Sequence, residues 1–155
     1  MKYLDGVISE TFRMFPVAPF IERRASEEYS FEYNGKTIKI EKDMIVHIPS
    51  YAMQMDEEYF SEPKKFKPER FFPENRTHHP YSYLPFGARP RNCLGMRLAL
   101  LEAKLALMHT VYNYKFTTCE KTSIPLKMNL DGAGVLSPKE VILRLEKRID
   151  LSNFM

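Results

Sequence analysis

Residues 85–95, with the sequence PFGARPRNCLG, constrain this chain most, because they lead directly into an apolar run at residues 96–112. We call residues 85–95 the cysteine loop. A cysteine at the entrance of a helix lies beside unpaired backbone N–H groups and the positive end of the helix dipole, which favour a thiolate. Gly87 and Gly95 allow a flat ligand to approach the backbone closely. The cysteine loop therefore predicts that Cys93 supplies an anionic sulfur able to bind iron.

Arg91, two residues before the cysteine, can reach an anionic group on the rim of such a ligand. The alternative for Cys93 is a buried, inert apolar residue, because free cysteines are often fully buried. Nothing beside Cys119 indicates a ligand site, and a disulfide between the two cysteines would consume the proposed ligand. The histidines lack metal-ligand spacing, so surface or core positions are predicted for His47, His78, His79 and His109.

Composition favours one domain with a hydrophobic core, since 44% of the 155 residues are hydrophobic. The net charge is only +3, with acidic and basic residues interleaved, so no nucleic-acid partner is expected. Two cysteines are too few for a secreted disulfide scaffold. A reducing compartment fits this composition best.

The start of the chain has neither a membrane span nor a signal sequence in its pattern. No run reaches about eighteen consecutive apolar residues, and Asp5 interrupts the place of a signal sequence's apolar region. A helical pattern begins almost directly after Met1, with no capping residue ahead of it. We therefore expect a fragment of a longer protein.

Hydrophobic periodicity predicts a series of short elements. Apolar residues recur at helical spacing from Tyr3 to Phe15, and Pro16 ends this pattern. Alternation on both sides of Asn34-Gly35 predicts a β-hairpin with a type I′ turn. Residues 51–83 are predicted to form a long loop with short helical pieces. The remaining predicted elements are extended segments at 20–24, 44–48, 114–117, 125–130 and 141–145 and an apolar central helix at 96–112.

Glu10 and Arg13 lie three residues apart on the first predicted helix, close enough to form an ion pair. An exposed pair worth a few tenths of a kcal/mol is the ordinary interpretation. Arg70, in the long loop, can fold back and share Glu10 with Arg13. If buried, such a network would hold the loop against the first helix, and removing one member would be strongly destabilising.

Three motifs occur in a specific order. Residues 10–13 match E-x-x-R, residues 68–71 match P-E-R-F, and residues 86–95 match most of F-G-x-G-x-R-x-C-x-G. Each short motif alone is common by chance, whereas the ordered set is specific. Nearly the whole chain thus resembles the C-terminal part of a cytochrome P-450, a haem-thiolate monooxygenase. The sequence around the motifs is similar to that of the microsomal family-three (3A-like) branch.

The resemblance implies the C-terminal, haem-proximal portion of the cytochrome P-450 fold, mainly α with small antiparallel β-sheets. Residues 1–155 would then be part of a single domain whose N-terminal part is absent. Cys93 would be the axial thiolate on haem iron, with Gly95 beside it and Phe86 packed next to the sulfur. Arg91 and Arg23 would bind the haem propionates. Glu10, Arg13 and Arg70 would be the family's buried structural triad.

The same resemblance implies insertion of one oxygen atom from O2 into an apolar small molecule such as a steroid, lipid or xenobiotic. Electrons would come from NADPH through a reductase, with cytochrome b5 as a further candidate donor, at the cytoplasmic face of the endoplasmic reticulum membrane. Two alternatives stay open. One is a non-catalytic haem-binding or interaction fragment, and the other is a thiol-redox module using Cys93 and Cys119.

Several other positions follow from the resemblance. The segments 20–24 and 132–136 would border the substrate pocket. Basic side chains could attract an acidic electron donor or form a solvated cation cluster, namely Arg89, Arg91, Arg97 and Lys104. Arg89 replaces a glycine of the family motif. If that position needs φ > 0, Arg89 would be strained by about 1–3 kcal/mol, and Arg89→Gly would restore haem retention.

Overall fold

The computed structural model describes residues 1–132 and 134–148. Its α-helices are α1 (Lys2–Met14), α2 (Ser50–Gln54) and α3 (Met96–Asn113), and short 3₁₀ helices occur at Pro68–Phe71, Pro73–Asn75 and Pro80–Ser82. The strands are β1 (Ile21–Arg24), β2 (Tyr29–Tyr33), β3 (Lys36–Ile40), β4 (Ile45–Ile48), β5 (Tyr114–Thr117), β6 (Met128–Leu130), β7 (Leu136–Pro138) and β8 (Arg144–Lys147). Helices combined with small antiparallel sheets confirm the predicted fold class. Within the described residues, no helix has the length and apolarity needed to cross a membrane.

Helix α1 is the predicted amphipathic helix, and its buried face packs on the 3₁₀ helix Pro68–Phe71. Gly6 permits this close approach, because a Cβ at that position would lie 2.6 Å from the carbonyl oxygen of Pro68. Ile8 is buried on the same helix. The helix ends where Pro16 follows, as predicted. The packing brings the long loop against the helix that carries the E-x-x-R motif.

The predicted hairpin is confirmed as β2 and β3, with Phe31 paired to Ile38. Asn34 and Gly35 both have positive φ, as a type I′ turn requires. The following strand β4 does not extend this hairpin. It pairs antiparallel with β1 in a separate two-stranded sheet, where Arg23 lies opposite Val46.

The C-terminal strands form two further pairs, β5 with β8 and β6 with β7. Strand β6 is shorter than the predicted 125–130, and β8 is shifted toward the C-terminus from 141–145. Strand β7 was not among the predicted strands. It pairs with the nearby β6, with Leu136 opposite Leu130, but three residues that end in proline give too short a pattern to predict a strand.

Helix α3 is apolar almost all round, as predicted, yet none of its residues is buried. Leu98 and Leu105 are 61% and 56% exposed. An apolar groove of ≈ 420 Å³ runs between α1 and α3. The buried apolar side chains among the described residues lie elsewhere, between α1, α2 and the long loop, and are Ile8, Phe60, Phe71 and Leu84.

The long loop between α2 and the cysteine loop is ordered by aromatic packing. His78 stacks on Phe60 with ring centroids 5.0 Å apart, and it also meets Phe71 and Tyr83 edge-on. We call these four residues the His78 cluster. The Tyr83 hydroxyl donates a hydrogen bond to the backbone oxygen of Ser9 on α1, at 3.0 Å. The His78 cluster therefore fixes the loop to α1 just before the cysteine loop begins.

Candidate functional site

An open cleft of ≈ 420 Å³ lies between the end of α1, strand β1 and the cysteine loop. Its lining is mainly apolar, with two arginines and one thiol among the apolar residues. The lining residues are Phe12, Val17, Ala18, Phe20, Ile21, Arg23, Leu84, Pro85, Phe86, Gly87, Arg91 and Cys93. Sequence-predicted site residues from two distant segments thus meet in one cleft.

Cys93 is a free, exposed thiol held by the fold of the cysteine loop. Its backbone N–H donates to the Phe86 carbonyl oxygen at 2.8 Å, which closes the loop. Gly87 has φ +73°, a left-handed conformation that glycine adopts without strain. A Cβ on Gly87 would also lie 3.5 Å from the Arg91 carbonyl oxygen. The loop geometry therefore requires glycine at position 87, the second residue of the motif.

Gly95 is the residue that immediately precedes helix α3. A Cβ at this position would lie 4.0 Å from the Cys93 sulfur. With no side chain there, the sulfur stays open to the cleft beside the start of the helix. This placement agrees with the expectation that Cys93 lies at a helix entrance.

Phe86 lies at the wall of the cleft and is braced by Phe12 of α1. The two rings meet edge to face, with centroids 5.1 Å apart and an interplanar angle of 67°. Such pairs contribute about 0.5–1.5 kcal/mol beyond area burial. Because Phe86 also accepts the Cys93 N–H, α1 and the cysteine are linked through a single residue.

Arg23 and Arg91 are both exposed and both line the cleft. Arg23 donates to the carbonyl oxygen of Glu22 at 2.8 Å, which leaves guanidinium N–H groups available. Guanidinium groups pair well with carboxylates. An apolar cleft with one thiol and two guanidinium groups fits a flat, apolar ligand that carries a metal and peripheral carboxylates, as haem does.

Glu10, Arg13 and Arg70 form one ion-pair network. The Glu10 and Arg13 side chains are 0% exposed, and Arg13 Nε donates to Glu10 Oε2 at 2.8 Å. Arg13 Nη2 donates to Glu10 Oε1 at 2.9 Å, and Arg70 Nε donates to the same oxygen at 3.1 Å. Two guanidinium groups therefore share one buried carboxylate, which excludes the interpretation of Glu10 and Arg13 as an exposed helical pair.

Gln54 at the end of α2 completes this network and was not predicted from the sequence. Its amide nitrogen donates to the Arg13 carbonyl oxygen at 3.0 Å, and its carbonyl oxygen accepts from the Leu84 N–H at 3.1 Å. Arg13 Nη1 in turn donates to the backbone carbonyl oxygen of Gln54 at 2.7 Å. Gln54 thus connects α1 directly to the residue that precedes the cysteine loop. The partners of its side-chain amide are backbone groups, which carry no sequence signal.

Arg89 does not adopt the conformation that would strain it. Among the described residues, the non-glycine residues with positive φ are Asn34, Asp43 and Glu62. Arg89 is also exposed, so its side chain lies in solvent rather than crowding the cleft. The expectation of backbone strain at Arg89 was therefore wrong, and a glycine is not required at this position.

The two segments expected to border a substrate pocket lie next to each other. The Leu136 N–H donates to the Val17 carbonyl oxygen at 2.7 Å, and a Cβ on Gly134 would lie 3.4 Å from the Phe20 ring. Val17 and Phe20 both line the cleft. Ala133, also in the predicted segment, lies outside the described residues.

The basic residues singled out from the sequence do not all face solvent. Arg89, Arg91 and Arg97 are exposed, whereas Lys104 pairs with Asp5 of α1. The hydrogen bond from Lys104 holds the pKa of Asp5 below its usual value. Lys104 thus joins α3 to α1.

Cys119 and the histidines are not among the residues that line the cleft. Cys119 is a free thiol whose pKa is lowered mainly by a hydrogen bond from Thr122. Within residues 1–132 and 134–148, no three His, Cys, Asp or Glu side chains assemble a metal site. His78 lies in its aromatic cluster, and His47 stacks on Phe20 at 4.8 Å.

Comparison with known proteins agrees with this geometry. The family model described as Cytochrome P450 matches residues 1–145. The chain is 48% identical over 150 residues to Cytochrome P450 3A27 of Oncorhynchus mykiss and 46% identical over 149 residues to Cytochrome P450 3A5 of Homo sapiens. Each alignment covers 96% of this chain and 28% of the relative. With its motifs, its cysteine loop and nearly its whole length matched, the chain belongs to the cytochrome P450 family.

Proposed function

We propose that this chain is the haem-binding part of a haem-thiolate monooxygenase, with Cys93 as the axial ligand. The observation that carries the proposal is the apolar cleft that gathers Cys93, Arg23 and Arg91. The chain spans only 28% of the length of the relatives quoted above. We therefore further propose that residues 1–155 correspond to the C-terminal part of a single cytochrome P450 domain.

Each predicted site residue has a distinct role in this proposal. The Cys93 thiolate would hold the haem iron, and Arg23 and Arg91 would hold the two propionates by charge-assisted hydrogen bonds. Phe86, braced by Phe12, would pack beside the sulfur and tune its hydrogen-bonding environment. When bound, haem supplies the redox chemistry that activates O2. Gly95 keeps the sulfur accessible, while Glu10, Arg13 and Arg70 hold the loop rather than contact the ligand.

The remaining parts of the function concern the complete protein. We propose that it inserts one oxygen atom into an apolar small molecule, such as a steroid, lipid or xenobiotic. Electrons come from NADPH through a reductase, with cytochrome b5 as an additional donor. The exposed Arg89 and Arg97, close to the cysteine in sequence, provide positive charge for an acidic donor. The proposed location of the complete protein is the cytoplasmic face of the endoplasmic reticulum membrane.

A second candidate is a haem-binding fragment without turnover. Cys93 is exposed and the following Leu94 is 102% exposed, so this chain by itself covers little of the sulfur's surroundings. Water-excluding walls strengthen catalysis in an active site. A cleft that binds haem without such walls would not support efficient turnover.

One experiment separates these two candidates. The haem-loaded chain is mixed with purified NADPH-cytochrome P450 reductase, NADPH, ¹⁸O₂ and a panel of apolar steroids and drugs, and products are analysed by mass spectrometry. Products carrying a single ¹⁸O atom, absent with Cys93→Ser, support the monooxygenase. Thiolate-ligated haem without labelled product supports the second candidate.

A further inference from the structure

The bend between β1 and β2 carries a serine directly behind two arginines. Arg23-Arg24-Ala25-Ser26 is the one place in the 155-residue sequence where Ser or Thr has arginine at both the second and third preceding positions. Ser26 is exposed, and its hydroxyl makes no hydrogen bond to any of the described residues. We propose that Ser26 is a phosphorylation site for an arginine-directed serine/threonine protein kinase.

The two arginines are presented on opposite faces of β1, because successive strand residues alternate. Arg23 lines the cleft, whereas Arg24 pairs with Asp43 at 3.1 Å. The side chains of this pair are 70% and 58% exposed, and such exposed pairs contribute little. Acidic subsites of a kinase can therefore take Arg24 from Asp43 at small cost. Kinases select substrates by such charge patterns.

The backbone presents Ser26 from a fixed position. The Ala25 N–H donates to the Met44 carbonyl oxygen at 3.0 Å, and the Asp43 N–H donates to the Ala25 carbonyl oxygen at 2.9 Å. Residues 26–28 then leave the strand ladder before β2 begins at Tyr29. The acceptor thus lies on an exposed bend between two sheets, while the arginines precede it on an extended segment.

The transfer is an ordinary phosphoryl transfer with ATP as the donor. The Ser26 Oγ forms a bond to the γ-phosphorus, and the bond from that phosphorus to the β–γ bridging oxygen breaks, so that ADP leaves. The hydroxyl proton passes to the catalytic carboxylate of the kinase. No other co-reactant is needed.

The modification would place a charge of about −1.5 to −2 beside Arg23 and Arg24. Glu27 and Glu28 already follow the serine, and Glu28 is paired with Lys39 at 3.0 Å. A phosphoserine would compete with a carboxylate ligand for Arg23. This consequence rests on the proposed haem function, whereas the phosphorylation site itself does not.

The direct test incubates the folded 155-residue chain with the catalytic subunit of cAMP-dependent protein kinase and [γ-³²P]ATP, and maps the label by mass spectrometry. We expect label on Ser26, none in Ser26→Ala, and about tenfold slower labelling in Arg24→Gln, which removes one recognised charge. Glu27→Gln should label faster, because it removes an acidic side chain next to the acceptor. Ser30→Ala, an exposed serine in β2 without preceding arginines, serves as the matched control.

Circular dichroism on each variant checks that folding is unchanged. No label on the folded chain, label that persists in Ser26→Ala, or label that appears only after unfolding in urea would each overturn the proposal. Haem titration of the phosphorylated chain is a separate measurement, with an expected loss of affinity of about three- to tenfold from competition for Arg23. Equal affinity with Ser26 phosphorylated would overturn the coupling and leave the site standing.

Discussion

Glu10 is the carboxylate on which two arginines depend, and its side chain is 0% exposed. Glu10→Gln keeps the shape of the side chain but leaves the buried Arg13 charge uncompensated. We expect the free energy of unfolding to fall by about 3–5 kcal/mol. Urea denaturation followed by circular dichroism measures this change. Glu69→Gln, exposed in the neighbouring 3₁₀ helix, is the matched control, and a similar small effect for both variants would contradict the account.

The two positions of the cysteine loop where the family motif has glycine, 87 and 89, should differ in their need for that residue. Gly87→Ala places a Cβ in a left-handed conformation and should destabilise the chain by about 1–2 kcal/mol. Arg89→Gly should bring no gain in stability or haem occupancy, because Arg89 has no positive φ to relieve. Thermal unfolding and haem titration measure both effects. Higher haem occupancy in Arg89→Gly would reinstate backbone strain at this position.

At the scale of residues, the sequence was sufficient to predict the charged members of the buried network but not its amide side chain. Glu10, Arg13 and Arg70 belong to recognisable motifs, and a carboxylate between two arginines follows from charge. Gln54 could not be predicted in this way, because it satisfies backbone groups of Arg13 and Leu84. Backbone partners depend on the path of the chain rather than on residue type.

The packing of α1 on the Pro68–Phe71 helix depends on Gly6. Alanine normally stabilises a helix interior by about 1 kcal/mol relative to glycine. Here the added Cβ would meet the Pro68 oxygen at 2.6 Å and the Phe72 ring at 3.1 Å. We expect Gly6→Ala to lower the midpoint of thermal unfolding, whereas Gly132→Ala, with nothing within 4 Å of its Cβ, should not. A stabilised Gly6→Ala variant would show that the two elements do not pack this closely.

The His78 cluster should make the long loop sensitive to acid. Burial, reinforced by Arg76 and Arg70, lowers the pKa of His78 below its usual value. The unfolded chain therefore binds a proton more readily than the folded chain, and stability falls as the pH drops from about 7 through the ordinary His pKa of about 6.5. His78→Phe should flatten this dependence in urea titrations at pH 5.5 and 7.5. An unchanged slope in the variant would assign the acid sensitivity to other groups.

Elements with local signals were predicted, and those that depend on distant partners were not. The Asn34-Gly35 turn was sufficient to predict the β2–β3 hairpin and its register. Strands β1 and β4 instead pair across the intervening β2–β3 hairpin, and no local sequence pattern predicts such a pairing. Strand β7 pairs with the nearby β6, but it was missed for a different reason, because its three residues are too few for an alternating pattern.

The molecule as a whole exposes 12110 Å² of surface. A compact monomer of 18.3 kDa would expose about 8100 Å² by the usual scaling. The exposed leucines of α3 and the apolar groove between α3 and α1 contribute to this excess. The all-round apolar pattern of α3 predicted a central helix of a larger protein, and the exposed leucines are the physical counterpart of that pattern.

This surface should make the isolated chain associate and bind apolar dyes. We expect Leu98→Glu/Leu105→Glu, two exposed positions seven residues apart on α3, to reduce dye fluorescence and shift sedimentation toward the monomer. Val141→Glu, 58% exposed outside α3, is the control. Equal association of both variants would place the associating surface elsewhere.

The central claim is that Cys93 is the ligand of a haem iron in the cleft, and the spectrum of the ferrous carbonyl complex tests it most directly. Haem is added to the chain, reduced and exposed to carbon monoxide, with Cys93→Ser and Cys119→Ser in parallel. The account predicts the red-shifted Soret band of a thiolate-ligated carbonyl in the parent chain and in Cys119→Ser, and its loss in Cys93→Ser. A band that persists in Cys93→Ser, or a histidine-type band in the parent chain, would contradict it.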